Sequence, residues 1–227
     1  MTGGGYAIVI PSANADNLAA CLSALRGMGE LGPDARIIVV DDGARAGAHR
    51  SLDNFVSWIP GKRPFVYARN ANLGIEAAGR RDVVLMGDDT VLATDRGLER
   101  LARTARAHPR AAVIAAAVDG MVGNARQARR DGPAAVELEP EWLAFVCVYL
   151  PRAALDGIGP LDERFVAYGG EDVDFCLRAR AMGWELLDDH GCVVEHGRLP
   201  SSFRSRPDIS ELSVRGVQIL RSKWGGT

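Results

Sequence analysis

Short apolar runs alternate with amphipathic stretches along most of the chain. Residues 6–10 (YAIVI) form a continuous apolar run, and residues 17–25 then set Leu18, Cys21, Leu22 and Leu25 at helical spacing, which predicts a β–α unit. Residues 36–40 (RIIVV) repeat the strand signal and stop at Asp41, Asp42 and Gly43. Residues 64–67 and 82–86 (DVVLM) predict two more strands, the second followed by Asp88 and Asp89. A charged helix is predicted over 94–108, with Leu98, Leu101 and Ala105 facing inward, and a buried strand over 111–118. Apolar strands separated by helices imply an α/β fold with an open, mostly parallel central sheet flanked by helices. Ligands of such sheets bind outside the carboxyl ends of the strands, the edge at which both acid pairs fall.

The pattern then changes. Residues 120–140 carry Gly, Asn, Arg126, Arg129 and Arg130 with little periodicity and read as a mobile lid-like loop. Structure is expected to resume over 142–150 and to pass through a loop at 156–165 into Gly169 and Gly170. A helix is predicted over 171–182 and stops at Gly183. Residues 184–187 and 192–195 predict a final strand pair ending in His196, and the tail from Arg198 onward is basic, with Arg198, Arg204, Arg206, Arg215, Arg221 and Lys223 against Asp208 and Glu211.

Composition narrows the class. The 227 residues are 47% hydrophobic and 25% charged, with 27 basic against 29 acidic groups, which suits one compact domain and gives no basic excess for nucleic acid or a membrane surface. No run approaches the ~18–20 apolar residues of a membrane span, and the start lacks a signal peptide, so a cytoplasmic protein is expected. Cys21, Cys147, Cys176 and Cys192 are scattered without a C-x-x-C pair and read as reduced thiols.

Three acidic clusters carry the candidate chemistry. Asp41 and Asp42 before Gly43 suit either a ligand or a plain turn. Asp88 and Asp89, adjacent at the end of a buried strand, repel one another unless a cation or hydrogen bonds compensate, and hard oxygen ligands suit Mg²⁺ or Mn²⁺. Glu171, Asp172 and Asp174 fall in the first turn of a helix, where the macrodipole favours negative charge and should keep Asp172 ionised, and Asp174 can pair with Arg178. The Gly169–Gly170 turn would present Glu171 and Asp172 to a ligand, which capping alone does not require. His196 at a strand end suits a surface position or a metal ligand.

Taken together these residues resemble the GT-A glycosyltransferases, most closely inverting family 2 and its rhamnosyltransferase-like members. The resemblance runs to about His196 and is carried by IVIPSAN at 8–14, VVDDG at 39–43, NANLG at 70–74, GDDT at 87–90 and IGPLDERFVAYGGEDVDFCLRARAMGW at 158–184. It implies a single GT-A domain over 1–227: a nucleotide-sugar-binding half at about 1–118, then an acceptor and catalytic-base half at about 119–227. The implied reaction moves a sugar from a UDP-, GDP- or dTDP-sugar to an acceptor hydroxyl, with inversion and with Mn²⁺ or Mg²⁺. Residue by residue, the resemblance implies Pro11, Ser12 and Asn14 near the nucleotide, Asp42 on the base, and Asn72 and Gly74 along the ribose–phosphate path. Asp88 would lie near the ribose or sugar, and Asp89 matches the last acid of the D-x-D metal motif. His196 would complete the metal shell, Asp172 would be the general base, and Glu171 would contact sugar or acceptor hydroxyls.

Gly87 stands where the motif has its first acid, so metal binding leans on Asp89 and the diphosphate. The stretch from Gly74 to Asp89 is short for the helix and strand expected there, which cuts down the donor pocket wall. A retaining GT-A enzyme, a nucleotidyltransferase and a nucleotide-sugar-binding protein without transfer remain the alternatives. The EDVD block favours transfer, because mere binding needs no base, and PSANADN offers no basic phosphate loop for nucleotidyl transfer. The acceptor, whether glycan, lipid-linked sugar, protein side chain or modified nucleic-acid base, falls to residues 120–140, the region of Trp142 and the basic tail.

Overall fold

The computed structural model describes residues 5–30, 36–46, 56–138, 140–166, 169–201 and 207–225. Tyr168 of the long motif and Arg204 and Arg206 of the tail lie outside these residues. In chain order the elements are β1 (Ala7–Ser12), α1 (Ala15–Gly27), β2 (Arg36–Asp41), β3 (Val56–Pro60), α2 (Tyr67–Ala77), β4 (Val83–Met86), β5 (Thr90–Leu92), α3 (Gly97–Ala107), β6 (Ala111–Gly120), β7 (Val136–Leu138), β8 (Cys147–Leu150), α4 (Arg152–Ile158), α5 (Glu171–Ala181), β9 (Glu185–His196) and α6 (Ile209–Trp224).

One sheet runs β3-β2-β1-β4-β8-β6-β9-β5, with β7 added on β9. The α/β layout expected from the sequence is the one observed. Pairing is parallel across β3-β2-β1-β4 and between β6 and β9, while β8 runs antiparallel to both its neighbours and β5 and β7 run antiparallel to β9. The apolar strands follow from burial on both faces: β1, β4 and β8 are buried at every position. Val9, Val40 and Leu85 pack under α2, α4 and α5 on one face, and Ile8, Ile10 and Met86 pack with Leu18, Leu22, Leu98 and Leu101 of α1 and α3 on the other. Each fully buried aliphatic side chain of this kind contributes about 1.5–3 kcal/mol by leaving water.

Four local expectations are corrected. Residues 64–67 form no strand: Val66 flanks α2, which begins at Tyr67. The strand at the sheet edge is instead VSWIP (β3), whose half-exposed pattern lacks an apolar run. Residues 120–140 are not a free loop. A 3₁₀ turn at Ala125–Gln127 and strand β7 sit within them, and the buried Gln127 amide receives the Ala144 N–H at 2.7 Å and donates to the Ala144 carbonyl at 3.1 Å. The expected loop at 156–165 overlaps the end of α4. Finally, the expected strand pair over 184–195 is one continuous strand, β9, whose central polar residues are buried rather than turned out.

Candidate active site

The carboxyl ends of β1, β2 and β4, the N-terminus of α5 and the end of β9 surround a cleft of about 580 Å³. Its lining includes Pro11, Asp42, Asp88, Asp89, Glu171, Asp172 and His196, so seven residues named from the sequence converge from distant chain positions. Ser12 and Asn14 stand just behind the lining: Ser12 Oγ donates to Asp88 Oδ2 at 2.7 Å, and the Asn14 N–H approaches the same oxygen at 3.4 Å. The Asn14 side chain is spent on capping α1, accepting from the Asp16 and Asn17 N–H groups.

Asn72 and Gly74 lie elsewhere. Both are in α2, and the Asn72 amide bridges to the Leu161 backbone, accepting its N–H and donating to its carbonyl, each at 2.9 Å. Gly74 is packed where α2 crosses the sheet; a Cβ there would overlap Val9 and come within 3.1 Å of Val40 Cγ2. NANLG therefore works as a helix-packing segment, and the helix expected after Gly74 already contains it.

At the β4 corner, Asp88 is held by Ser12 and Asn14, and burial pushes its carboxyl above the usual carboxylate range. Asp89 turns the other way, toward β9, with Oδ1 3.6 Å from His196 Nε2. The other ring nitrogen of His196 meets the Met121 carbonyl oxygen. A carbonyl accepts only, so Nδ1 is the donor in that contact, and Nε2 is the ring atom that faces Asp89. Gly87 supplies no ligand.

At the α5 corner, Gly169 and Gly170 adopt φ 86° and 109°, a region open to glycine. A side chain at Gly170 would also meet the Phe165 ring at 2.7 Å. This turn aims Glu171 and Asp172 into the cleft. Asp172 Oδ1 accepts from the Val173 N–H at 2.8 Å and the Gly170 N–H at 3.1 Å. Burial raises both carboxyls of the pair. The backbone N–H groups of Val173, Gly170 and Phe145 oppose the rise at Asp172, whereas the charge of Asp172 adds to it at Glu171, whose Oε2 is buried without a hydrogen-bond partner. Burial thus penalises charge at both members of the pair, and the backbone N–H groups offset part of that penalty at Asp172; the helix dipole alone does not set the charge. Asp174 is structural: it is fully buried and pairs with Arg178 at 2.9 Å and with Lys223 at 2.7 Å.

The sequence reading missed the apolar wall of the cleft, formed by Phe65, Tyr67, Met121, Val122 and Phe145. Its aromatic residues gave only the usual signal of core positions. Asp42 closes the β2 end with Arg63 at 3.5 Å, and its Oδ1 is buried without a hydrogen-bond partner. Of the basic tail, Ser201 reaches the cleft, while Arg198 is tied to Glu195 and Asp119, and Lys223 to Asp162 and Asp174.

Comparison with known proteins places this geometry. The family model described as Glycosyl transferase family 2 matches residues 7–154. No curated protein sequence matches the chain. Among solved structures, GalNAc-T7 with UDP, GalNAc and Mn²⁺ superposes with a TM-score of 0.73 at 13% identity, over 96% of this chain and 48% of that one. The mannosyltransferase PcManGT from Pyrobaculum calidifontis, in complex with GDP-Man and Mn²⁺, gives 0.71 at 13% identity, over 100% of this chain and 66% of that one. TarS from S. aureus with UDP-GlcNAc gives 0.63 at 15% identity, over 95% and 66%. The chain spans from about half to two thirds of the length of these structures, and the likeness is one of fold.

Proposed function

The chain belongs to glycosyl transferase family 2, and from that premise we propose that it is a metal-dependent glycosyltransferase that moves a sugar from a nucleoside-diphosphate donor to an acceptor hydroxyl with inversion. The observation that carries this reading is the separation of two acid corners in one cleft: Asp89 beside His196, and Asp172 held by backbone N–H groups. The first corner offers one carboxylate and one imidazole, a donor set that fits Mn²⁺ and, less well, Mg²⁺. Bound there, a divalent cation would neutralise the diphosphate as it leaves.

The chain's own groups do the rest. Asp42, whose Oδ1 faces Arg63 without a hydrogen bond at the β2 end, is suited to receive N–H groups of the nucleobase. Asp88, fixed by Ser12, faces the ribose or sugar. Asp172 takes the proton of the acceptor hydroxyl as it attacks the anomeric carbon from the side opposite the leaving group. Glu171, beside Asp172 in the cleft, can hydrogen-bond a sugar or acceptor hydroxyl. Pro11 backs the nucleotide, and Met121, Trp142 and Ser201 form the open side through which an acceptor enters.

The solved neighbours hold UDP, GDP-Man or UDP-GlcNAc, which supports a UDP- or GDP-linked donor here and leaves dTDP-sugars as a third class to test. No helix among the described residues is long and apolar enough to cross a membrane. Four buried free thiols support the cytoplasmic setting that belongs to this reading. Incubation with UDP-, GDP- and dTDP-sugars and Mn²⁺ tests the proposal. Slow release of nucleoside diphosphate by the wild type supports transfer, and release of pyrophosphate would point to nucleotidyl transfer instead. A donor at ~100 times its dissociation constant should also stabilise the fold by about 2.7 kcal/mol.

A further inference from the structure

A second cluster of metal-ligating groups lies outside the cleft, where β7 pairs with β9. Glu137 and Asp188 are direct cross-strand partners in that antiparallel ladder. Like charges placed opposite one another in a sheet repel, and something must compensate them. His190, two positions after Asp188 on β9, points to the same side, and its Nε2 is 3.3 Å from Asp188 Oδ2. One ligand atom from each of Glu137, Asp188 and His190 lies within 4.8 Å of the others.

The arrangement is unusual because its inner members are unsatisfied. Asp188 has no exposed surface, and the His190 side chain is 8% exposed. Both carboxylate oxygens of Asp188 and both ring nitrogens of His190 are buried with no hydrogen-bond partner among the described residues. A buried polar atom left unpaired costs roughly 1–3 kcal/mol, so four at one point call for a missing partner. The neighbouring charges do not supply it: Arg126 and Arg130 engage Glu137, and Asp189 is spent on Arg100 and Thr104. Burial pushes the Asp188 carboxyl up to about 7, and burial with the Arg130 charge pushes the His190 imidazole down.

We propose that Glu137, Asp188 and His190 bind a structural divalent transition metal of the Zn²⁺ class, which staples β7 to β9. One imidazole nitrogen with two carboxylates favours such a metal over Ca²⁺ or Mg²⁺, which take oxygen alone. The half-exposed Glu137 gives the ion a path in. The metal would fix the 125–138 segment, whose preceding residues Met121 and Val122 form one wall of the donor cleft.

The test loads chelator-stripped full-length chain with Co²⁺ in the absence of nucleotide and reads the visible d–d absorption, with Zn²⁺ displacing the signal. The band should form in the wild type and in His196→Gln, and should be lost, with Co²⁺ affinity at least tenfold weaker, in His190→Gln and Glu137→Gln. Glu137 lies on an edge strand, so its variant keeps the core intact even if His190→Gln does not fold. Zn²⁺ should likewise raise the melting temperature of the wild type and not of Glu137→Gln. Absence of the band in the wild type, its loss in His196→Gln, or its persistence in either cluster variant overturns the proposal.

Discussion

The two acid pairs of the cleft look alike in sequence and are built in opposite ways. At the end of β4, the acid fixed by protein donors is Asp88, and its neighbour Asp89 is turned toward His196. At the start of α5, the fixed acid, Asp172, is itself aimed into the cleft, and its neighbour Glu171 is buried with an unpartnered oxygen. The difference matches the two tasks. In the proposed reading, Asp89 and His196 face each other on the metal side of the cleft. A general base must be held in one orientation, and backbone N–H groups do that, since they cannot swing away, while offsetting part of the burial penalty on its charge.

The largest effect that could break this contrast is at Asp172. Asp172→Asn keeps the shape and removes the proton acceptor, so turnover should fall by ~10²–10⁴-fold with donor affinity unchanged. Near-normal turnover would remove Asp172 from the base role. His196→Gln should weaken Mn²⁺ binding, read by titration with nucleoside diphosphate present, by at least the ~10-fold seen when even an outer-shell partner of a metal site is lost. No change there would mean that the β4 corner works without β9.

Glu171→Gln sharpens the α5 side through pH. Burial and the charge of Asp172 both penalise ionisation of Glu171, so neutral glutamine removes a group that resists charging beside the base. Stability carries a matching sign. A carboxyl whose folded pKa lies above its unfolded value of ~4.3 opposes folding once charged, so wild-type stability falls as pH rises from that value through the raised one. Glu171→Gln should flatten that fall in urea unfolding measured across pH, and an unaltered slope would contradict the burial cost assigned to Glu171. The smallest effect is expected at Ser12. Ser12→Ala removes the 2.7 Å donor to Asp88 and should cost about 1–2 kcal/mol of stability by denaturant unfolding, while Asp89-dependent metal binding persists.

Much of this was legible in the chain, and the rest was hidden for identifiable reasons. Strands β1, β2, β4 and β6 announce themselves because burial on both faces demands unbroken apolar runs, and the GT-A fold expected from the motifs is the fold observed. VSWIP escaped notice because an edge strand needs only one buried face. FVY reads as a strand because three apolar residues fit either a short strand or the inward face of a helix start. The DDHG run inside β9 reads as a turn, yet Asp189 is drawn inward by Arg100 and Thr104, partners about ninety positions away that no local pattern reveals. The acid pairs were visible as chemistry, but which member of each pair works was not. That choice rests on Ser12, Met121 and the Gly170 backbone, contacts that exist only once the chain is folded.

The central claim is that the metal corner and the base corner are separate, and one titration tests it most directly: nucleoside-diphosphate affinity in Mn²⁺ and in EDTA, for wild type, Asp89→Ala and Asp172→Asn. The account predicts that Mn²⁺ tightens binding in the wild type and in Asp172→Asn, and that this gain disappears in Asp89→Ala while the affinity in EDTA stays the same for all three. A Mn²⁺ gain that survives in Asp89→Ala, or one that vanishes in Asp172→Asn, would contradict it.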